Sequence, residues 1–146
     1  MSKNIQPDPL TKEGPMKALL VDKYGKKEAL RLVEMPRPDV QADEVLVQVH
    51  AASVNLLDAK IRNGEFKLLL PYRTPFILGH DVAGVVVQVG TQVTSFKIGD
   101  QVYARPDDMR IGTFAEFVAV KAQSLAIKPA NMSMDEAASI PLVGLT

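Results

Sequence analysis

Apolar and polar residues alternate over short distances along most of this chain. From Met16 to Asp22 the run Met-Lys-Ala-Leu-Leu-Val-Asp reads as a strand, Tyr24-Gly25-Lys26-Lys27 as a turn and Ala29 to Glu34 as a second strand, an opening hairpin. Pro36 and Pro38 end that pattern. Between Glu44 and His50, Val45, Val47 and Val49 alternate with Glu44, Leu46, Gln48 and His50, the period of a strand with one face buried. Asn55 to Gly64 predicts a helix of about two turns: Asn55 can cap it, Leu56, Ala59 and Lys60 fall at helical spacing, and Gly64 can close it in the left-handed conformation. Asp81 to Val89 is a β-branched run bounded by Gly79 and Gly90, which suits a buried strand. Gly84 within it predicts a bulge or a close backbone approach. Asp100 to Ala104 and Thr113 to Val120 predict further strands, with the charged stretch Arg105 to Ile111 between them expected to be mobile and to rim a pocket. Met132 to Ala138 opens as a helix, with Ser133 as N-cap and Glu136 completing a capping box. Many short strands punctuated by Gly and Pro argue for a mainly β domain with short helices, a small barrel or sandwich.

Composition narrows the partners. The 146 residues suit one domain, and 17 basic side chains balance 17 acidic ones, so no surface field favours nucleic acid or an anionic membrane. Small, uncharged partners are expected. The chain has no cysteine, which removes disulfides, thiolate nucleophiles and metal sites built on sulfur. Residues 1–14 are polar, carry Pro7 and Pro9, and read as a disordered tail with no apolar core of the kind a secretory signal needs. Apolar runs such as Val85 to Val87 fall far short of the ~20 residues that span a bilayer. A cytoplasmic protein with no membrane partner is expected.

Four segments carry a resemblance. Val54-Asn55-Leu56-Leu57-Asp58-Ala59-Lys60, Gly79-His80-Asp81-Val82-Ala83-Gly84-Val85-Val86, Gly99-Asp100-Gln101-Val102-Tyr103 and Gly112-Thr113-Phe114-Ala115-Glu116-Phe117, in this order, resemble the medium-chain dehydrogenase/reductase superfamily. Ala137-Ala138-Ser139-Ile140-Pro141 resembles that superfamily's interdomain helix. The resemblance implies a GroES-like, partly open β-barrel over residues 15–135 and the start of an interdomain helix over 136–146. A Rossmann domain, absent from this chain, would follow. No Gly-x-Gly-x-x-Gly fingerprint occurs here, so the chain alone is expected to bind a dinucleotide weakly if at all.

Zinc members of the superfamily draw their catalytic ligands from Cys, His and a Cys or carboxylate, and this chain has no thiol to offer. His80 stands where those enzymes place their His, followed by Asp81 where they have Glu. His80 is expected to hydrogen-bond the loop Pro75 to Gly79, with no metal. Without a Lewis acid, the natural chemistry is hydride addition to a quinone or an α,β-unsaturated carbonyl, whose own π-system takes the arriving charge. The resemblance implies zinc-free quinone oxidoreductases or enone (2-alkenal) reductases, with NADPH as cofactor and a homodimer at full length. It makes Asn55 and Lys60 candidate catalytic residues and, with Thr146, candidate cofactor contacts; Tyr72, in the Pro-bounded loop before Gly79, is a further catalytic candidate because its ring can line the pocket mouth and its hydroxyl can donate to a substrate. The competing reading of Asn55 is a helix cap, of Lys60 a solvated helix lysine, and of Tyr72 loop packing. Asp58 is expected on the helix surface or in a supporting role. Phe66 stands where a number of quinone reductases carry Tyr, so the product proton is expected from solvent. Two alternatives remain: a non-enzymatic GroES-like barrel used as a binding or adaptor domain, and a zinc alcohol dehydrogenase, which the lack of cysteine opposes.

Overall fold

A computed structural model of the protein describes residues 14–145. It is mainly β, in two sheets that do not close into a complete barrel. The elements are β1 (Met16–Val21), β2 (Arg31–Met35), β3 (Glu44–Ala51), α1 (Leu56–Asn63), β4 (Phe76–Ile77), β5 (Val82–Val89), β6 (Gln101–Ala104), β7 (Phe117–Lys121), β8 (Leu125–Ile127), α2 (Met134–Ala138) and α3 (Pro141–Gly144). One sheet has the order β2-β1-β4 and the other β7-β3-β5-β6-β8, and every described pairing is antiparallel.

The opening hairpin forms as its pattern predicts, with β2 starting at Arg31, two residues later than expected. Arg31 pairs with Asp22 through both its Nε (2.6 Å) and an Nη (2.8 Å), tying the two ends of the turn together. β3 departs from its expected single buried face. Val45 and Val47 enter the core of the larger sheet with Val82, Val86, Val102 and Val120, while Leu46 on the other face packs with Met16, Ala18, Val87 and Phe117. Both faces are covered because the smaller sheet lies against the outside of the larger one.

The larger sheet curls, and chain length shows why it must. β7 and β8 are its two edges, yet only the 3-10 turn Ala122–Ser124 joins them. In a flat sheet the outer strands of five would lie ~19 Å apart, four spacings of about 4.8 Å. The link from Lys121 to Leu125 reaches ~14 Å at full extension and less in a 3-10 turn. The edges are therefore drawn together, which gives the partly open barrel expected from the sequence.

The expected strand Thr113 to Val120 shortens to β7, because its first half changes partner. Leu19 N–H donates to Phe114 O (2.9 Å) and Glu116 N–H to Lys17 O (3.0 Å), so residues 114–116 run beside β1 before the chain joins β3. The stretch Arg105 to Ile111 is pinned, contrary to the expected mobility. Arg105 bonds Asp108 at 2.7 Å, Ser124 bonds Asp107 at 2.9 Å, and Arg110 ion-pairs with the fully buried Glu44. The C-terminal segment is not one continuous helix: α2 stops at Ala138, and Pro141 starts α3 at its first position. Among the described residues no helix is long and apolar enough to cross a membrane. The expected tail lies, apart from Gly14, outside the described residues.

Candidate functional site

The chain leaves β3 at Ala51 and enters α1 through Asn55, whose extended backbone (φ −114°, ψ 159°) suits an N-cap. Gly64 ends the helix at φ 87°, with its N–H on Ile61 O at 2.9 Å. Asp58, three residues past the cap, returns its Oδ2 to the Asn55 N–H at 2.7 Å. Its other oxygen, Oδ1, lies 2.6 Å from His80 Nδ1, and both side chains are buried, at 1% and 0% exposure. His80 thus bonds Asp58 and not the Pro75–Gly79 loop. Asp58 is an interior residue, and the surface position expected of it is corrected while its supporting role stands. The sequence carries a signal for this placement, since Asn55-Leu56-Leu57-Asp58 has the spacing of a capping box. His80 Nε2 is buried and makes no hydrogen bond among the described residues.

Asp81, the next residue, is a second centre. It is fully buried; its Oδ2 accepts from Ser53 Oγ at 2.7 Å and Asn55 Nδ2 at 2.8 Å, and its Oδ1 accepts from the Leu142 N–H at 2.8 Å. One buried array therefore joins the approach to α1, the corner before β5 and the first turn of α3. Ala83, Ala137 and Ala138 pack beside it, small side chains that let α2 approach the sheet closely.

The three candidate catalytic residues are not gathered by contacts. Asn55 belongs to the array. Lys60 is half-buried on α1, about 200° around the helix from Asp58. No hydrogen bond or ion pair holds its ammonium among the described residues. Tyr72 lies in the cluster of Val21, Ile61, Leu78 and Phe76, its ring 5.1 Å from that of Phe76. Its hydroxyl donates to Asp108 O, and its own carbonyl accepts from Tyr24 Oη at 2.7 Å. Burial, with help from the nearby Asp108 carboxylate, pushes the Tyr72 hydroxyl up to about 12. Thr146 lies outside the described residues.

Two openings flank the array. A cleft of about 420 Å³ is lined by Leu19, Val49, Ala52, Val54, Asp58 and Phe114, among others, and none of Asn55, Lys60 and Tyr72 lines it. A groove of about 570 Å³ runs between Tyr103–Asp107 and α3, so the 105–107 stretch does form a rim. The residues at His80 do not fit a zinc ion. Among the described residues no three His, Asp or Glu side chains gather as ligands, both Asp81 oxygens already accept hydrogen bonds, and the chain has no thiol.

Comparison with known proteins gives a consistent set. A family model described as the alcohol dehydrogenase GroES-like domain matches residues 41–130. The chain is 39% identical over 145 residues to the human NAD(P)H oxidoreductase RTN4IP1, mitochondrial, a match covering 90% of this chain and 37% of that protein. It is 40% identical over 134 residues to the NADPH-dependent alkenal/one oxidoreductase, chloroplastic, of Arabidopsis thaliana, covering 87% and 34%. Among solved structures, the quinone oxidoreductase from Coxiella burnetii superposes with a TM-score of 0.85 at 34% identity, covering 91% of this chain and 43% of that one. The chain spans little more than a third of the length of these curated relatives.

Proposed function

The chain belongs to the alcohol dehydrogenase GroES-like domain family, and on that footing we propose that it is the substrate-side part of a longer, metal-independent reductase. The whole protein transfers a hydride from NADPH to a quinone or an α,β-unsaturated carbonyl. The observation that carries this reading is the likeness, over about nine-tenths of the chain, to relatives named for NADPH-dependent alkenal/one and quinone reduction. Residues 15–135 form the domain on this reading, and residues 136–146 lead toward a nucleotide-binding domain that grips most of the cofactor.

NADPH, when bound, supplies the hydride, and the acceptor's conjugated system carries the charge to its oxygen. The chain's own part is to hold that oxygen. The Lys60 ammonium has no competing anion among the described residues, which leaves it free to face an enolate or quinol oxygen. Asn55 contributes an amide fixed by buried carboxylates. The Tyr72 hydroxyl is committed to the Asp108 carbonyl, so its contribution is to steady the loop that rims the groove. The product proton comes from solvent, since Phe66 has none to give. Thr146 is assigned a cofactor contact by family resemblance alone.

The test is NADPH oxidation by the full-length protein against a quinone, an enone and a simple aldehyde, with and without a chelator. Chelator-insensitive reduction of the quinone or enone is the expected result. Lys60→Ala and Asn55→Ala should each lower turnover by ~10²–10³, the typical loss when an oxyanion donor is removed; at Asn55 the donor is the second hydrogen of the Nδ2 amide, the first being given to Asp81. Failure to oxidise NADPH with any of the three acceptors would sink the reading and favour a non-enzymatic barrel. We also propose a cytoplasmic homodimer; light scattering and a fluorescent fusion of the full-length protein test those two points.

A further inference from the structure

Asp81 is fully buried and faces no cation among the described residues; Ser53, Asn55 and Leu142 supply its only donors. They come from the approach to α1, its N-cap and the first turn of α3. A backbone N–H can only donate, so Oδ1 accepts from Leu142. The Asn55 amide has one donating and one accepting end, and only its NH₂ end satisfies Oδ2 of an ionised carboxylate. Asp58 meanwhile holds the backbone N–H of the same residue. Two carboxylates thus fix Asn55 from both ends, and the one that sets its side chain is itself fastened to α3.

We propose that Asp81 is a positioning residue: it orients the Asn55 amide for the reduction and ties that orientation to the docked start of α3. This rests on the reading of Asn55 as part of the reaction site. Asp81 does not touch the reacting atoms. It acts through Asn55, and that dependence is what an experiment can isolate.

Two cycles on the full-length enzyme test it. The first reads Tm. Asp81→Asn keeps an oxygen for the Leu142 N–H but turns an NH₂ toward the NH₂ of Asn55, so Tm falls. Adding Asn55→Asp restores a donor facing an acceptor, and Tm recovers. Absence of recovery would overturn the coupling itself. The second cycle reads kcat/KM with an enone. Asp81→Asn alone lowers it by ~10²-fold. In an Asn55→Ala background the same change costs less than about threefold, because no amide remains to orient. A second full ~10²-fold loss there would show Asp81 acting independently of Asn55 and overturn the positioning role. A wild-type enzyme that turns over neither quinone nor enone, with the Tm recovery intact, would remove the reductase reading and the positioning role with it, while the clamp between Asp81 and Asn55 stands.

Discussion

At the scale of single residues, the buried Asp58–His80 pair is the most exacting feature of the domain. Removing the carboxylate strands His80 Nδ1 in the interior and strips α1 of half its cap, so Asp58→Ala should cost about 2–4 kcal/mol in urea unfolding. Asp58→Asn, which can still accept from one partner, should cost less. Tyr72 makes a second prediction. Its hydroxyl is held up at about 12 by burial, against 10 for an ordinary tyrosine. Below pH 10 both folded and unfolded chains keep this proton; between pH 10 and about 12 only the folded chain does. Stability should therefore fall across that window as pH rises, and absorbance titration should find one tyrosine ionising near 12. A single tyrosine wave near 10 would contradict the burial of this ring. Residue-scale features within a few positions of each other were legible in the sequence: Asn55 as a cap, Gly64 in the left-handed region, and Ser133 with Glu136, whose N–H donates to Ser133 Oγ at 3.1 Å. The bond between Asp58 and His80 was not, because it joins residues 22 apart, and local periodicity carries no information about which distant side chain completes a buried pair.

At the scale of elements, β3 and β5 are where sequence and packing agree most closely. Gly84 was expected to mark a close approach, and a Cβ there would sit 2.0 Å from Gln48 O and 2.9 Å from Val47 Cγ1, beside a shift in the β3–β5 register. Gly84→Ala must push the central strands apart, and we expect a loss of about 3 kcal/mol or more, or no soluble protein. Denaturant midpoints of Gly84→Ala and of Gly99→Ala, where nothing lies within 4 Å of the added carbon, separate crowding from the cost of a positive φ (95° at Gly99). The elements that the sequence missed, β4 and β8, are two and three residues long. Neither is long enough to display a period, and each exists because a neighbouring strand offers it a ladder. The shortened β7 has the same origin: Phe114 and Glu116 follow the alternation of a strand but divide their backbone hydrogen bonds, Phe114 between β1 and Leu78 and Glu116 between β1 and β3.

At the scale of the whole molecule, the chain carries no Gly-x-Gly-x-x-Gly segment. Without a dinucleotide fingerprint it should leave NADPH fluorescence unchanged at micromolar concentrations, whereas the full-length protein should alter it. Tight binding by these 146 residues alone would require a site that the two openings described here do not suggest. The family resemblance made the architecture legible, because glycines and short motifs fix turns and close approaches. Which candidate residues meet in space was decided by helix phase and long-range pairing, and that placed Lys60 and Asp58 on different sides of α1. The curl of the larger sheet has one more consequence. A flat sheet offers two open edges on which a second molecule can lay a strand, the first step toward fibril growth. Here an incoming strand would have to enter between β7 and β8 with the Ala122–Ser124 turn bridging the gap. The smaller sheet ends in β2 and the two-residue β4; along the longer edge, β2, exposed Leu32 invites contact and Arg31 and Glu34 set charges on either side of it. Protection of this edge against strand addition thus rests on two charges flanking one exposed leucine, and neutralising Arg31 and Glu34 would weaken it.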